Sequence, residues 1–118
     1  VFWRRPKADS AQPQAAEVPL QISGDELQTE LRGGSPPLLV DVRSAEEFAS
    51  GYIPGAVLIP LPELERRVGE IPSGRSVVCV CRSGHRSGIA ARQLRARGYS
   101  ARSLAQGMMG WRGSVKRR

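Results

Sequence analysis

The chain has 118 residues and a formal net charge of +7, room for one domain with a modest core and a bias towards anionic partners. No run approaches the ~18–20 apolar residues that a membrane-spanning helix needs. Its two cysteines, Cys79 and Cys81, exclude a disulfide framework, since a bridge over so short a span is strained, and a reducing compartment fits them best.

The sequence opens Val1-Phe2-Trp3-Arg4-Arg5-Pro6-Lys7, an aromatic pair followed by cations, which resembles the cytoplasmic edge of a membrane anchor lying upstream of residue 1. A leader without structure is the competing reading. Residues 8–17 are Ala, Gln, Pro, Ser and charged residues, so 1–17 reads as a flexible linker. Residues 18–22 alternate and predict a first strand, placed at an edge by Pro19. Ser23 or Asp25 can cap a helix over 25–32, with Leu27 and Leu31 on its inner face and Gly33-Gly34 closing it.

Pro36-Pro37 leads into Leu38-Leu39-Val40-Asp41-Val42, an apolar run that predicts a buried strand with Asp41 at its carboxyl end. Ser44 caps a short helix carrying Glu46, Glu47 and Phe48, and the i, i+4 spacing of Arg43 and Glu47 predicts an ion pair fixing that turn. A turn over 51–55 is followed by a further buried strand over 56–59. Pro62 opens a helix with Leu64, Val68 and Ile71 on one side. Residues 72–74 then turn into a strand over 76–80.

That strand runs into Cys81-Arg82-Ser83-Gly84-His85-Arg86-Ser87, and a helix follows over 87–97. Its inner face carries Ile89, Ala90, Ala91 and Leu94, its outer face Arg92, Arg95 and Arg97, and Gly98 ends it. Residues 100–104 predict a fifth strand and 107–111 a short closing helix, with Met108, Met109 and Trp111 as wall. The domain spans 18–113, and 114–118 is expected to be a solvated, frayed basic tail. Strands alternating with helices predict an α/β fold: a parallel sheet with helices on both faces.

The loop over 81–87 carries the chemistry. A strand ends at a cysteine and a helix begins at once, so backbone N–H groups and the positive helix end converge on one point. Arg82, His85 and Arg86 add basic groups around it. A thiol placed there ionises more readily than a free cysteine, and the thiolate is the nucleophile. A small buried residue at a strand end is the bland reading of a lone cysteine; the glycine and the flanking cations weigh against it here. Cys79 belongs inside the strand. With Cys79, Cys81 and the single His85 offering three ligands at most, no metal site is expected.

This loop resembles the active-site loop of the rhodanese domain. Asp41-Val42-Arg43, Glu47-Phe48 and Gly51-Tyr52-Ile53-Pro54-Gly55-Ala56 are similar to that family's Asp-x-Arg…Glu-Phe/Tyr…Gly-His-Ile-Pro-Gly-Ala signature, with Tyr52 in place of the usual His. Residues 107–111 are a third, weaker match. The resemblance implies a three-layer sandwich built on a five-stranded parallel sheet, and a thiosulfate sulfurtransferase without cofactor. It makes Cys81 the catalytic residue, and Arg82, Ser83, Gly84, His85, Arg86 and Ser87 the substrate-binding loop. The partners it implies are a small anionic sulfur donor and an acceptor that is cyanide or a thiol, protein thiols included.

Three other functions weigh against that expectation. Phosphatases and arsenate reductases space their loop as Cys-x5-Arg; Cys81 and Arg86 are one residue closer, which makes a smaller cradle. A persulfide carrier or membrane-tethered docking module uses the same loop. Nucleic-acid binding is not expected, because the basic face lacks interleaved aromatics. The expected location is the cytoplasm, at the face of a membrane if the anchor exists.

Overall fold

The computed structural model describes residues 18–118. The linker expected over residues 1–17, with the edge of an upstream anchor at its start, lies outside the described residues. Five strands, β1 (Gln21–Ile22), β2 (Leu38–Asp41), β3 (Val57–Leu58), β4 (Val77–Val80) and β5 (Ala101–Leu104), form one parallel sheet in the order β1-β5-β4-β2-β3. The helices are α1 (Gly24–Leu31), α2 (Ala45–Ala49), α3 (Leu64–Arg67) and α4 (His85–Ala96), with a closing 3₁₀ turn at Gly107–Gly110. β4 lies in the middle of the sheet and is buried along its whole length, as its Val-Val-Cys-Val sequence requires.

The sheet has a core on each face. Val77, Cys79 and Cys81 pack with Val40, Ile59, Leu64, Ala90, Ala91 and Leu94 against α3 and α4. Val78 and Val80 pack with Leu39, Ile22, Leu27, Ile53 and Leu104 on the α1 side, where Trp111 and Met108 close the layer. Successive side chains of β4 therefore feed opposite cores, the period-2 rule applied to a strand covered on both faces.

Capping boxes start the first two helices. Ser23 accepts from the Glu26 amide and Glu26 reaches back to the Ser23 amide; Ser44 and Glu47 repeat the arrangement at α2.

Several elements differ from the sequence expectation. The first strand shrinks to Gln21–Ile22, and the carbonyls of Val18 and Pro19 instead accept from the Arg95 guanidinium. Arg95 thus ties the chain rather than lining a free cationic face. The strand expected as buried over 56–59 is a two-residue edge strand with Val57 exposed, because β3 has a neighbour on one side only. The helix after Pro62 breaks into a 3₁₀ turn (Leu61–Glu63), α3 and a second 3₁₀ turn (Val68–Glu70). Pro72 imposes extended backbone on Ile71 (φ −97°, ψ 115°), which ends the run.

The basic tail is exposed but not frayed. Lys116 and Tyr52 exchange both backbone hydrogen bonds at 2.8 Å, and the Arg118 amide donates to the Ala49 carbonyl. Tyr52 stacks on Phe48 at 4.2 Å, and the Arg118 guanidinium lies 5.0 Å from the Phe48 ring centre.

Candidate active site

Cys81 follows β4 directly and is fully buried. Gly84 takes a left-handed conformation (φ 105°, ψ −9°) at the N-cap of α4, which bends the chain back over the sulfur. The Gly84 amide donates to Cys81 Sγ at 3.1 Å and the Ser87 amide at 3.2 Å; the Ser87 hydroxyl lies 3.4 Å from the same sulfur. The Ser83 amide also bears on it. The loop carbonyls face the other way: Cys81 O accepts from the Met108 amide at 2.8 Å and Arg82 O from the Met109 amide at 3.0 Å. The closing 3₁₀ turn therefore holds each peptide with its N–H inward.

Burial alone pushes the Cys81 thiol up, but the Ser87 hydroxyl and the amides of Ser87, Gly84 and Ser83 outweigh it, so the thiol is held below its ordinary value. Cys79, two residues earlier, is pushed up to about 12 by burial and by the charge of Cys81. One fold thus contains one ionisable and one inert cysteine.

The remaining loop residues divide sharply. Arg82, Ser83 and His85 are exposed, and Ser87 is buried. Arg86 donates to both oxygens of Glu47, at 2.8 and 2.9 Å, so its fork is already occupied. The Arg86 guanidinium holds the Glu47 carboxyl at about 2, against the opposing effect of burial and with help from the Ser44 amide. The pair expected between Arg43 and Glu47 does not form. Arg43 turns inward and grips Asp41 with Nε at 2.9 Å and a terminal nitrogen at 2.7 Å, and that nitrogen also donates to the Gly51 carbonyl. A buried aspartate requires such a partner, whereas Glu47 stands at the rim and meets the loop. Among the described residues, no group of three His, Cys, Asp or Glu side chains comes together as a metal site.

A thiolate under inward N–H groups, at the carboxyl end of a central parallel strand, can attack and then carry an atom small enough for the same donors. Comparison with known proteins agrees: residues 23–114 match the family described as "Rhodanese-like domain". The chain belongs to the rhodanese family. It is 38% identical over 92 residues to a sulfurtransferase of Allochromatium vinosum, covering 77% of this chain and 86% of that protein. It is 32% identical over 103 residues to the putative sulfur carrier protein YrkF of Bacillus subtilis, covering 86% of this chain but 55% of YrkF. The crystal structure of a rhodanese-like domain protein from Staphylococcus aureus superposes with a TM-score of 0.78 at 33% identity, over 83% of this chain and 97% of that one. This rhodanese domain is thus homologous to small sulfurtransferases, and no helix among its described residues is long and apolar enough to cross a membrane.

Three features of the site lie beyond the sequence reading. The Glu47–Arg86 contact joins residues 39 apart, with no local signal. Ser103 lies 2.7 Å from Ser87 and shows only as a polar residue at an inward position of a strand. Gln106 has positive φ (64°), alone among the described non-glycine residues, at the start of the 3₁₀ turn that holds the loop.

Proposed function

We propose that this rhodanese domain moves a sulfane sulfur from a small anionic donor, thiosulfate or a close analogue, to cyanide or a thiol. The Cys81 thiolate attacks the outer sulfur of thiosulfate. The electron pair of the S–S bond leaves with sulfite, and Cys81 becomes a persulfide anion. An acceptor then attacks the outer sulfur, the new S–S bond breaks, and its electron pair returns to Cys81 as thiolate. With cyanide the product is thiocyanate, and no net proton or electron is consumed.

The observation that carries this reading is the buried Cys81 sulfur beneath inward N–H groups, which stabilise negative charge on sulfur before and after transfer. Arg82 is the loop cation left exposed to meet a dianion, since Arg86 is engaged by Glu47. Ser83 and Gly84 act through their amides, Ser87 through its amide and its hydroxyl, and His85 stands at the exposed edge. A reducing compartment suits a site that works through a free thiol.

The similarity to YrkF favours a second reading, a carrier that loads the same persulfide and hands it to a protein thiol. One assay separates the two. Thiosulfate and cyanide in excess yield many equivalents of thiocyanate from an enzyme, and no more than one per Cys81 from a carrier that discharges only to protein. Cys81→Ala abolishes both. Product formation that survives Cys81→Ala refutes the proposal.

A further inference from the structure

The Ser87 hydroxyl is fully buried and lies between the Cys81 sulfur, at 3.4 Å, and the hydroxyl of Ser103 in β5, at 2.7 Å. We propose that Ser103 is a positioning residue for the sulfur chemistry, holding the Ser87 hydroxyl as a hydrogen-bond donor to Cys81.

The direction follows from counting hydrogens. Each serine has one hydroxyl hydrogen. Ser103 is fully buried, and its side chain has no hydrogen-bond partner among the described residues except Ser87. A buried O–H left without an acceptor is costly, so Ser103 donates to Ser87 Oγ. That leaves the single Ser87 hydrogen for the sulfur. The reverse order would strand the Ser103 hydrogen beside Ala101 and Cys79 and deprive the thiolate of a donor. Donation by Ser103 also polarises the Ser87 O–H and strengthens the bond that it makes to a charged sulfur.

Other groups acting on the sulfur lie elsewhere. Arg86 on α4 bears on it while held by Glu47 of α2, and Cys79 faces it from the same strand. Arg102, the charged residue of β5, is committed to Glu30 at 2.6 and 2.9 Å. Ser103 thus supplies the contribution of β5 to the site. The same donor would stabilise Cys81 as it leaves the persulfide, a consequence that rests on the proposed sulfur transfer.

The test needs no sulfur donor. The rate of Cys81 alkylation by iodoacetamide is followed against pH for wild type, Ser103→Ala, Ser103→Thr, Ser87→Ala and the double Ala variant, each checked for folding by circular dichroism. Ser103→Ala raises the midpoint by about 0.2–0.5 pH unit, the scale expected of cooperative strengthening in one charged hydrogen bond. Ser87→Ala raises it further, and Ser103→Thr, which keeps the hydroxyl, stays with wild type. The double variant titrates like Ser87→Ala, because Ser103 acts through Ser87; a structural effect alone would add to it. A Ser103→Ala midpoint at or below wild type overturns the assignment, as does an additive double variant. Failure of the thiosulfate assay would leave this result untouched.

Discussion

Replacing Glu47 by Gln tests how the reactive loop is held. Gln still fits the capping box with Ser44 but carries no charge for Arg86. Glu47 is lowered from 4.5 to about 2, a difference that corresponds to at most about 3.4 kcal/mol. Its side chain is 32% exposed and that of Arg86 35%, so solvent screening reduces the expected contribution to about 1 kcal/mol. A depressed carboxylate stabilises the fold above its unfolded value and loses that contribution as pH falls through the folded value. The contribution is therefore complete above about pH 5.5, falls by roughly half by pH 3, and is gone below about pH 1. Urea unfolding at pH 7 should show the Glu47→Gln midpoint lower by about 0.5–1 M, with the gap to wild type narrowing as pH is taken from 5 to 3. An equal gap at pH 7 and pH 3, or none at pH 7, would refute the claim that the Arg86 contact does this work.

Further expectations follow from the same geometry. Intact mass after thiosulfate treatment should rise by one sulfur, Cys81→Ser should abolish the gain and Cys79→Ser should not; alkylation should titrate at Cys81 below the ordinary thiol value and leave Cys79 unmodified at neutral pH. Arg82→Ala should raise the KM for thiosulfate several-fold at low salt, with added salt closing much of the gap; unchanged kinetics would remove Arg82 from the donor site. A Cβ at Gly107 (φ 55°) would overlap the Cys81 carbonyl oxygen and the Arg82 carbonyl group. Gly107→Ala should therefore cost about 2–3 kcal/mol in denaturant unfolding and displace the loop; wild-type stability and activity would contradict the account of how the carbonyls are held.

The sheet was legible because β2 and β4, two of its three inner strands, are apolar runs and its turns carry Gly and Pro, and the reactive loop because a cysteine, a glycine and a helix start follow one another within a few residues. Contacts between distant segments were not. Arg43 has three acidic residues within about a turn of chain, Asp41, Glu46 and Glu47, and the i, i+4 spacing favours Glu47; burial decides for Asp41, and burial is a tertiary quantity. In sequence the loop cation Arg86 likewise reads as free for substrate, because its partner comes from 39 residues away. The tail reads as solvated, since three basic residues carry no apolar pattern; what pairs it is the backbone of Tyr52 and the rings stacked beneath Arg118.

The strand order has a kinetic consequence. β1 pairs with β5, Gln21 opposite Ser103, so the sheet is completed by partners from opposite ends of the domain. Non-local parallel pairing of this kind makes for slow folding. During synthesis Cys81 emerges before β5 and before Met108, whose amide fixes its carbonyl. The nascent chain therefore carries its cysteine for a time without the closed loop that lowers its pKa. The tuned reactivity of the loop arrives with the last stretch of the domain: a chain that stops before residue 108 lacks the amides that hold the Cys81 and Arg82 carbonyls.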